Sequence, residues 1–361
     1  MPPSATSTSP SWHVERATSL PEIWARIAVF AGPVGAWRLT GVCRAAREGG
    51  KEHLRSLPGL VVVYGGVRTA TWLMSNVWRL DMASLQWESM PALVTARVHH
   101  ACCAVGGSVV VIGGRTLVGN EITATASVEA LYSGEGSLFV RLPPLSHGRI
   151  YGAAAIAVEG SDSTAGQVLL LGGGGDPPHP SLSTVQLVDL ATGVCTPQPH
   201  LLCRRTYPAV ARLPDGRVVC AGGIEGGSSV EKWGPPEQGA QDVACTWTEM
   251  PTMSTERYDC SGCMMSDGRF AVLGGLRGCS NVPMSSCEAL TIGASTHWEP
   301  LPPMHDTRTY FACAAMAGCI IIAGGMDCQS AEVFDEVLGR WLRLPHDLPH
   351  VSGVGMSGAL L

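Results

Sequence analysis

The sequence predicts an all-β fold: a six-bladed β-propeller of four-stranded blades, closed by the C-terminal strand and preceded by a small α-helical segment. Three observations carry this. An apolar strand ending in Gly-Gly recurs six times at a spacing of about 50 residues. An aromatic residue, then Leu or Met and Pro, recurs between these strands. A strand rich in Ala, Cys and Gly follows each aromatic signal.

Residues 1–18, with several Ser, Thr and Pro, read as a flexible tail. Residues 19–57 read as helical. Ser19-Leu-Pro-Glu22 matches a capping box with Pro in the first turn. Ile23, Ile27 and Phe30 share one helical face, and Gly32-Pro33 should end the helix. A second helical segment carries Trp37, Leu39, Val42 and Cys43 and should stop near Gly49-Gly50, leaving little room for a complete third helix. Two short helices bury little by themselves and would expose apolar surface unless a partner covers it.

Residues 58–361 hold the repeats. The six strands end at Gly65-Gly66, Gly113-Gly114, Gly172-Gly173, Gly222-Gly223, Gly274-Gly275 and Gly324-Gly325. Glycine at a strand end opens backbone angles closed to other residues and allows close approach of chains. A further strand signal follows, often with an acid or amide near its start: Ser127-Val-Glu129, Thr184-Val-Gln186, Ser229-Val-Glu231 and Ser286-Cys-Glu288. Trp87, Trp247, Trp298 and Trp341 then precede Met-Pro or Leu-Pro. Phe139 is a variant, and the third repeat, Val194-Cys195-Thr196-Pro197, has no aromatic. Strands rich in small residues run from Val98, Ile150, Tyr207, Tyr258 and Tyr310, as expected where strands converge on an axis.

The ends of the repeat region complement each other. No small-residue strand precedes Leu60, and no Gly-Gly strand follows Val351 to Leu361, which itself reads as an inner strand. If that segment supplies the inner strand of the first blade, six complete blades result and no sheet edge is left open.

The repeats resemble the kelch family over roughly the last five-sixths of the chain. The N-terminal segment resembles an F-box: Leu20-Pro21 with Ile23 and Ile27, then Leu39-Thr-Gly-Val42-Cys43-Arg44. It departs from the F-box pattern in having Ala45-Ala46-Arg47 where an aromatic is expected. The combined resemblance implies a substrate-recognition subunit of an SCF-type cullin–RING ubiquitin ligase. The expected adaptor-binding residues are Leu20, Pro21, Ile23, Trp24, Ile27, Leu39, Val42 and Cys43, docking on a Skp-family adaptor. A kelch scaffold without ligase linkage is the alternative. A propeller enzyme, such as a sugar epimerase or a metal-dependent one, is a further alternative.

Repeat alignment puts Arg97, Arg149, Arg205, Arg257 and Arg308 just ahead of five inner strands, with His350 in the sixth place. His99, His100, Tyr151, Tyr207, Tyr258 and Tyr310 follow them closely. Gathered at one mouth of the ring, Arg forks suit carboxylates and phosphates, and Tyr gives rigid amphipathic contact. The implied target is an acidic or phosphorylated protein segment. The competing expectation is that these arginines brace neighbouring loops.

Composition sets the outer limits. Charged residues make up 15%, against about 25% in average chains, with 44 Gly and 25 Pro. Such a chain suits many short strands joined by tight turns. A net charge of −6 gives no reason to expect nucleic acid or an anionic membrane as partner. The apolar runs fall short of the ~20 residues of a membrane span. No basic n-region followed by an apolar run marks a signal peptide, so the expected location is cytoplasmic or nuclear. The 14 cysteines then read as free thiols acting as small hydrophobes. Cys260-Ser-Gly-Cys263 has no second pair at zinc spacing, and His99-His100 alternate across a strand, so no metal is expected. No catalytic residue or cofactor is expected either. Asp259 interrupts the aromatic pattern beside Arg257, and one acid at a mouth is thin ground for acid–base chemistry.

Overall fold

A computed structural model describes residues 20–65, 67–69, 72–132, 134, 136–158, 166–175, 181–234, 245–293, 295–349 and 356–361. Ser19, His350 and Val351 to Gly355 lie outside the described residues.

The described residues are all-β apart from an N-terminal helical pair and one short 3-10 turn at Gly278–Ser280. Helix α1 (Pro21–Leu39) starts at Pro21 with Leu20 as an N-cap that gives no side-chain bond, so the described residues show no capping box. It breaks at Gly32, where φ is 68°, and resumes with Pro33. Thr40 to Cys43 form the turn. The Cys43 Sγ then accepts from the Ala46 N–H at 3.4 Å and caps α2 (Arg44–Ser56). The expected stop at Gly49-Gly50 is therefore a correction: both glycines lie inside a 13-residue helix. Their role is packing. A Cβ on Gly49 would sit 2.2 Å from the Pro21 carbonyl oxygen, and one on Gly50 3.0 Å from that of Ala36. Glycine here lets the two helices touch.

Six four-stranded antiparallel sheets follow among the described residues. In the first, Met356–Leu360 pairs with Leu60–Tyr64, which pairs with Val77–Leu80 and then Trp87–Met90. The other five are each built from consecutive segments. Their innermost strands are Ala101–Val105, Ala154–Val158, Ala209–Arg212, Ser261–Met264 and Ala312–Met316. The second strands, such as Ser108–Ile112, Phe270–Leu273 and Cys319–Ala323, are buried at every residue, hence their unbroken apolar runs. Each innermost strand lies against that of the next sheet. Met356–Leu360 lies against both Ala101–Val105 and Ala312–Met316.

The Trp signals tie sheet to sheet. Indole N–H groups of Trp247, Trp298 and Trp341 donate to the carbonyls of Pro199, Pro251 and Pro302, each at the end of the preceding sheet, at 2.9, 2.7 and 2.8 Å. The helical pair joins the core of the first and sixth sheets. Ala28, Val34, Ala36 and Leu54 are buried with Leu60, Leu80, Cys319 and Ile321, and Trp37 Nε1 donates to the Met82 carbonyl at 2.7 Å.

Candidate functional site

The expected arginines divide sharply. Arg97, Arg205, Arg257 and Arg308 are fully buried, each bonded to a buried carboxylate in its own sheet: Glu129, Glu231, Glu288 and Glu332. Each also donates to the carbonyl of the first glycine of its Gly-Gly pair, as Arg205 Nη1 does to Gly222 at 2.6 Å. The same carboxylates accept backbone N–H groups from the incoming loop, such as Leu202 on Glu231 at 2.6 Å. One network thus explains three repeat signals, the Arg, the Gly-Gly and the Ser-x-Glu. Buried and fully engaged, these four guanidinium groups cannot reach a ligand; they brace loops.

Arg149 is exposed and stands outside this set. The second glycine N–H of one sheet donates to the carbonyl of the next sheet's Arg: Gly173 to Arg205, Gly223 to Arg257 and Gly275 to Arg308. Gly114 donates instead to Ile150. Ile150 is therefore the structural equivalent of the buried arginines. The glutamate of that sheet is correspondingly replaced by Gln186, and both partners of the pair are absent together.

The aromatic positions do converge. His99, Gly152, Tyr207, Asp259 and Tyr310 occupy equivalent places in five successive sheets, with φ between 53° and 58°. Left-handed backbone costs about 1 kcal/mol or more at a non-glycine residue, so the four instances other than Gly152 need a compensating gain. Backbone bonds between sheets supply it: Gly152 N–H to His99 C=O at 2.7 Å, Tyr207 to Gly152 at 2.7 Å, Tyr310 to Asp259 at 3.3 Å and Met356 to Tyr310 at 3.1 Å. The same twist gathers the side chains. Ring centroids of His99 lie 5.3 Å from Tyr207 and 5.1 Å from Tyr310, which are 5.4 Å apart and edge to face. Tyr151 packs 6.5 Å from Tyr207, under the Arg115 guanidinium at 4.4 Å. Tyr258 stands off this cluster and its hydroxyl bonds Asn281.

Behind these rings runs a channel of about 430 Å³ lined by the innermost strands of all six sheets. His100 lines it and is buried. Burial pushes His99 down to about 4 and His100 to about 3, so both are neutral imidazoles. Burial pushes the Asp259 carboxyl up to about 8, against a smaller lowering by the Tyr310 hydroxyl, and raises both Tyr207 and Tyr310. Sequence reading noted Asp259 as an interruption and missed its burial. It also missed Arg115, which follows a Gly-Gly pair and carries no distinguishing pattern.

A second surface lies at the other end of the strands. Helix α1 packs beside Ala317, in the turn between the first two strands of the sixth sheet, and Met82, in a turn of the first. Of the expected adaptor residues, Leu20, Ile27, Val42 and Cys43 are exposed, and Pro21, Ile23, Trp24 and Leu39 are half-buried. Phe30 is 92% exposed and Val29 59%.

No family model matches the chain. It is 24% identical over 308 residues to Kelch-like protein 34 of Homo sapiens, covering 77% of this chain and 43% of that protein. It is 26% identical over 124 residues to the F-box/kelch-repeat protein SKIP30 of Arabidopsis thaliana, 34% of this chain and 30% of that one. A second Arabidopsis thaliana F-box/kelch-repeat protein is 39% identical over 54 residues, covering 13% and 14%. The chain thus spans less than half the length of these curated relatives. The solved structure of YjhT, a kelch-type propeller, superposes with a TM-score of 0.57 at 11% identity, covering 75% of this chain and 89% of that one. The three sequence relatives support kelch repeats and point to a protein-interaction module.

Proposed function

We propose that the six sheets are the blades of a closed six-bladed kelch propeller, and that the chain is the substrate-recognition subunit of a cullin–RING ubiquitin ligase. The observation that carries this is the exposed apolar ridge of α1, with Phe30, Val29 and Ile27 facing out while Ala28, Val34 and Ala36 anchor the helix to the sheets. Trp37 anchors the helix inward on the Met82 carbonyl, and a helix that only capped the sheets would have no use for a second, outward apolar edge. This one holds Phe30 out, as a surface for a Skp-family adaptor.

The ridge and the aromatic mouth sit at opposite ends of the strands, so adaptor and target can be held together. The chain itself contributes proximity, raising the effective concentration of the target near the ligase. With four arginines committed to the interior, the acidic or phosphorylated target segment rests on the exposed Arg149.

The test is co-purification of a Skp-family adaptor with the full chain and with Phe30→Asp. Capture by the wild type and its loss in the variant at unchanged melting temperature supports the proposal. No capture by either leaves an interaction module without ligase linkage.

A further inference from the structure

Asp259 is 4% exposed, and among the described residues neither carboxylate oxygen has a partner in hydrogen-bond geometry, the nearby Tyr310 hydroxyl offsetting only part of the effect of burial. Other buried carboxylates among the described residues are well supplied with donors: Glu129, Glu231, Glu288 and Glu332 each hold an arginine and at least one backbone N–H. A buried acceptor short of donors is costly, and more so when charged. What the site has is space. A cavity of about 130 Å³ is lined by Asp259, His99, Tyr207, Tyr310, Ser261 and Met356.

We propose that this cavity takes the cationic end of a lysine or arginine side chain on a bound protein. The ammonium or guanidinium would sit against Asp259 and over the Tyr207 and Tyr310 rings. A cation fills both empty carboxylate oxygens with donors and meets the negative faces of the aromatic rings, which no anion or neutral amide does. The surroundings extend the same polarity outward. Beside the mouth, a cleft of about 400 Å³ is lined by Ile224, Tyr258, Asn281 and the exposed carboxylates of Glu225 and Glu256. That the donor is a protein side chain rests on reading the mouth as the target surface; the chemistry of the cavity does not.

Every charged or titratable group around Asp259 leaves the cation place open. Arg257, on its own segment, is held by Glu288, and Tyr258 by Asn281. Arg277 is exposed on the strand paired with Arg257. Tyr207 and Tyr310 face it from the flanking sheets, His99 and His100 are neutral, and Arg115 is stacked on Tyr151.

The test titrates N-acetyl-lysine methylamide, N-acetyl-norleucine methylamide and butylammonium into the full chain by calorimetry at pH 7 and pH 9. The lysine derivative should bind and the norleucine derivative should bind at least ~10-fold more weakly. Binding should tighten up to ~10-fold at pH 9, where Asp259 is ionised and lysine still charged. Asp259→Asn should lose it, and that variant folds because a neutral amide takes the place of a buried carboxyl that the folded protein holds neutral near pH 7. Equal binding of norleucine, retention in Asp259→Asn, or no binding of the lysine derivative at pH 9 overturns the proposal. Butylammonium binding tenfold tighter than the lysine derivative overturns the protein side chain as occupant. Adaptor capture by Asp259→Asn, at the far end of the strands, should equal wild type, which separates failure here from failure of the ligase proposal.

Discussion

Trp87 donates its indole N–H to the backbone carbonyl of His346 at 3.1 Å, across 259 residues of sequence. The same bond joins each of the fourth, fifth and sixth sheets to the one before it, so this pair does for the first and sixth sheets what neighbouring repeats do elsewhere. The seam has an inner half as well, where an added Cβ on Gly358 would stand 2.8 Å from the Ala312 Cβ. Gly358→Val should therefore overpack the seam and cost about 1–3 kcal/mol, whereas Trp87→Phe, losing one hydrogen bond, should cost about 1 kcal/mol. Deleting the last strand should abolish cooperative unfolding. A melt of that deletion variant at the wild-type temperature would show that the ends do not close on each other.

Arg205 and Glu231 supply a sharper test of what holds a single sheet. Removing one partner strands a buried charge, so Arg205→Ala should cost about 3–5 kcal/mol in urea unfolding. The third sheet already carries Ile150 and Gln186 at the equivalent positions. Arg205→Ile with Glu231→Gln should thus be at least ~1 kcal/mol more stable than the sum of the two single changes. Strict additivity would mean that the pair is not one unit.

Much of this was legible because repetition reports on backbone geometry. Six Gly-Gly strands and the small-residue strand at Val351 to Leu361 implied the sheets and their pairing order. The mouth was half legible. Tyr207 and Tyr310 converge as the spacing implied, but the arginines beside them turn inward. The signal that separates these cases was present: an Arg at this place goes with Ser-x-Glu downstream, and Arg149 goes with Thr184-Val-Gln186. A carboxylate that appears with an arginine repeat after repeat marks an internal pair rather than a binding fork. The helical segment misled because Gly49-Gly50 carries two meanings, stop and close contact, and sequence patterning favours the first. Asp259 was visible as an exception, but its burial depends on the other five sheets.

Gly49 also makes the helical pair testable. Alanine gains about 1 kcal/mol of helix propensity over glycine, but its Cβ would lie 2.2 Å from the Pro21 carbonyl and 2.5 Å from the Ala25 nitrogen. Overpacking wins. Gly49→Ala should lose about 1–3 kcal/mol and raise amide exchange in both helices, while Glu52→Ala, exposed on the same helix, should stay within about 0.5 kcal/mol of wild type. Unchanged exchange in the Gly49 variant would remove the close contact as the reason for the glycine.

The mouth should also shape stability against pH. Asp259 titrates near 8 when folded and near 3.8 when unfolded, so between those values the native state holds the extra proton. Stability from this group falls as pH rises through that window, by at most about 1.4 kcal/mol per unit, and levels off above pH 8. His99 and His100 run the other way. Folded values near 4 and 3 lie below the unfolded 6.5, so the unfolded state binds two more protons, and stability falls as pH drops below 6.5. The two histidines outweigh the single carboxyl below pH 6.5 and the carboxyl acts alone above it. These three groups together place the maximum near pH 6.5. Asp259→Asn should flatten the limb between pH 6.5 and 8 in urea midpoints, and His100→Leu should shallow the acid limb. An alkaline limb of unchanged slope in Asp259→Asn would mean that the carboxyl is ionised in the folded protein, with a partner that satisfies it.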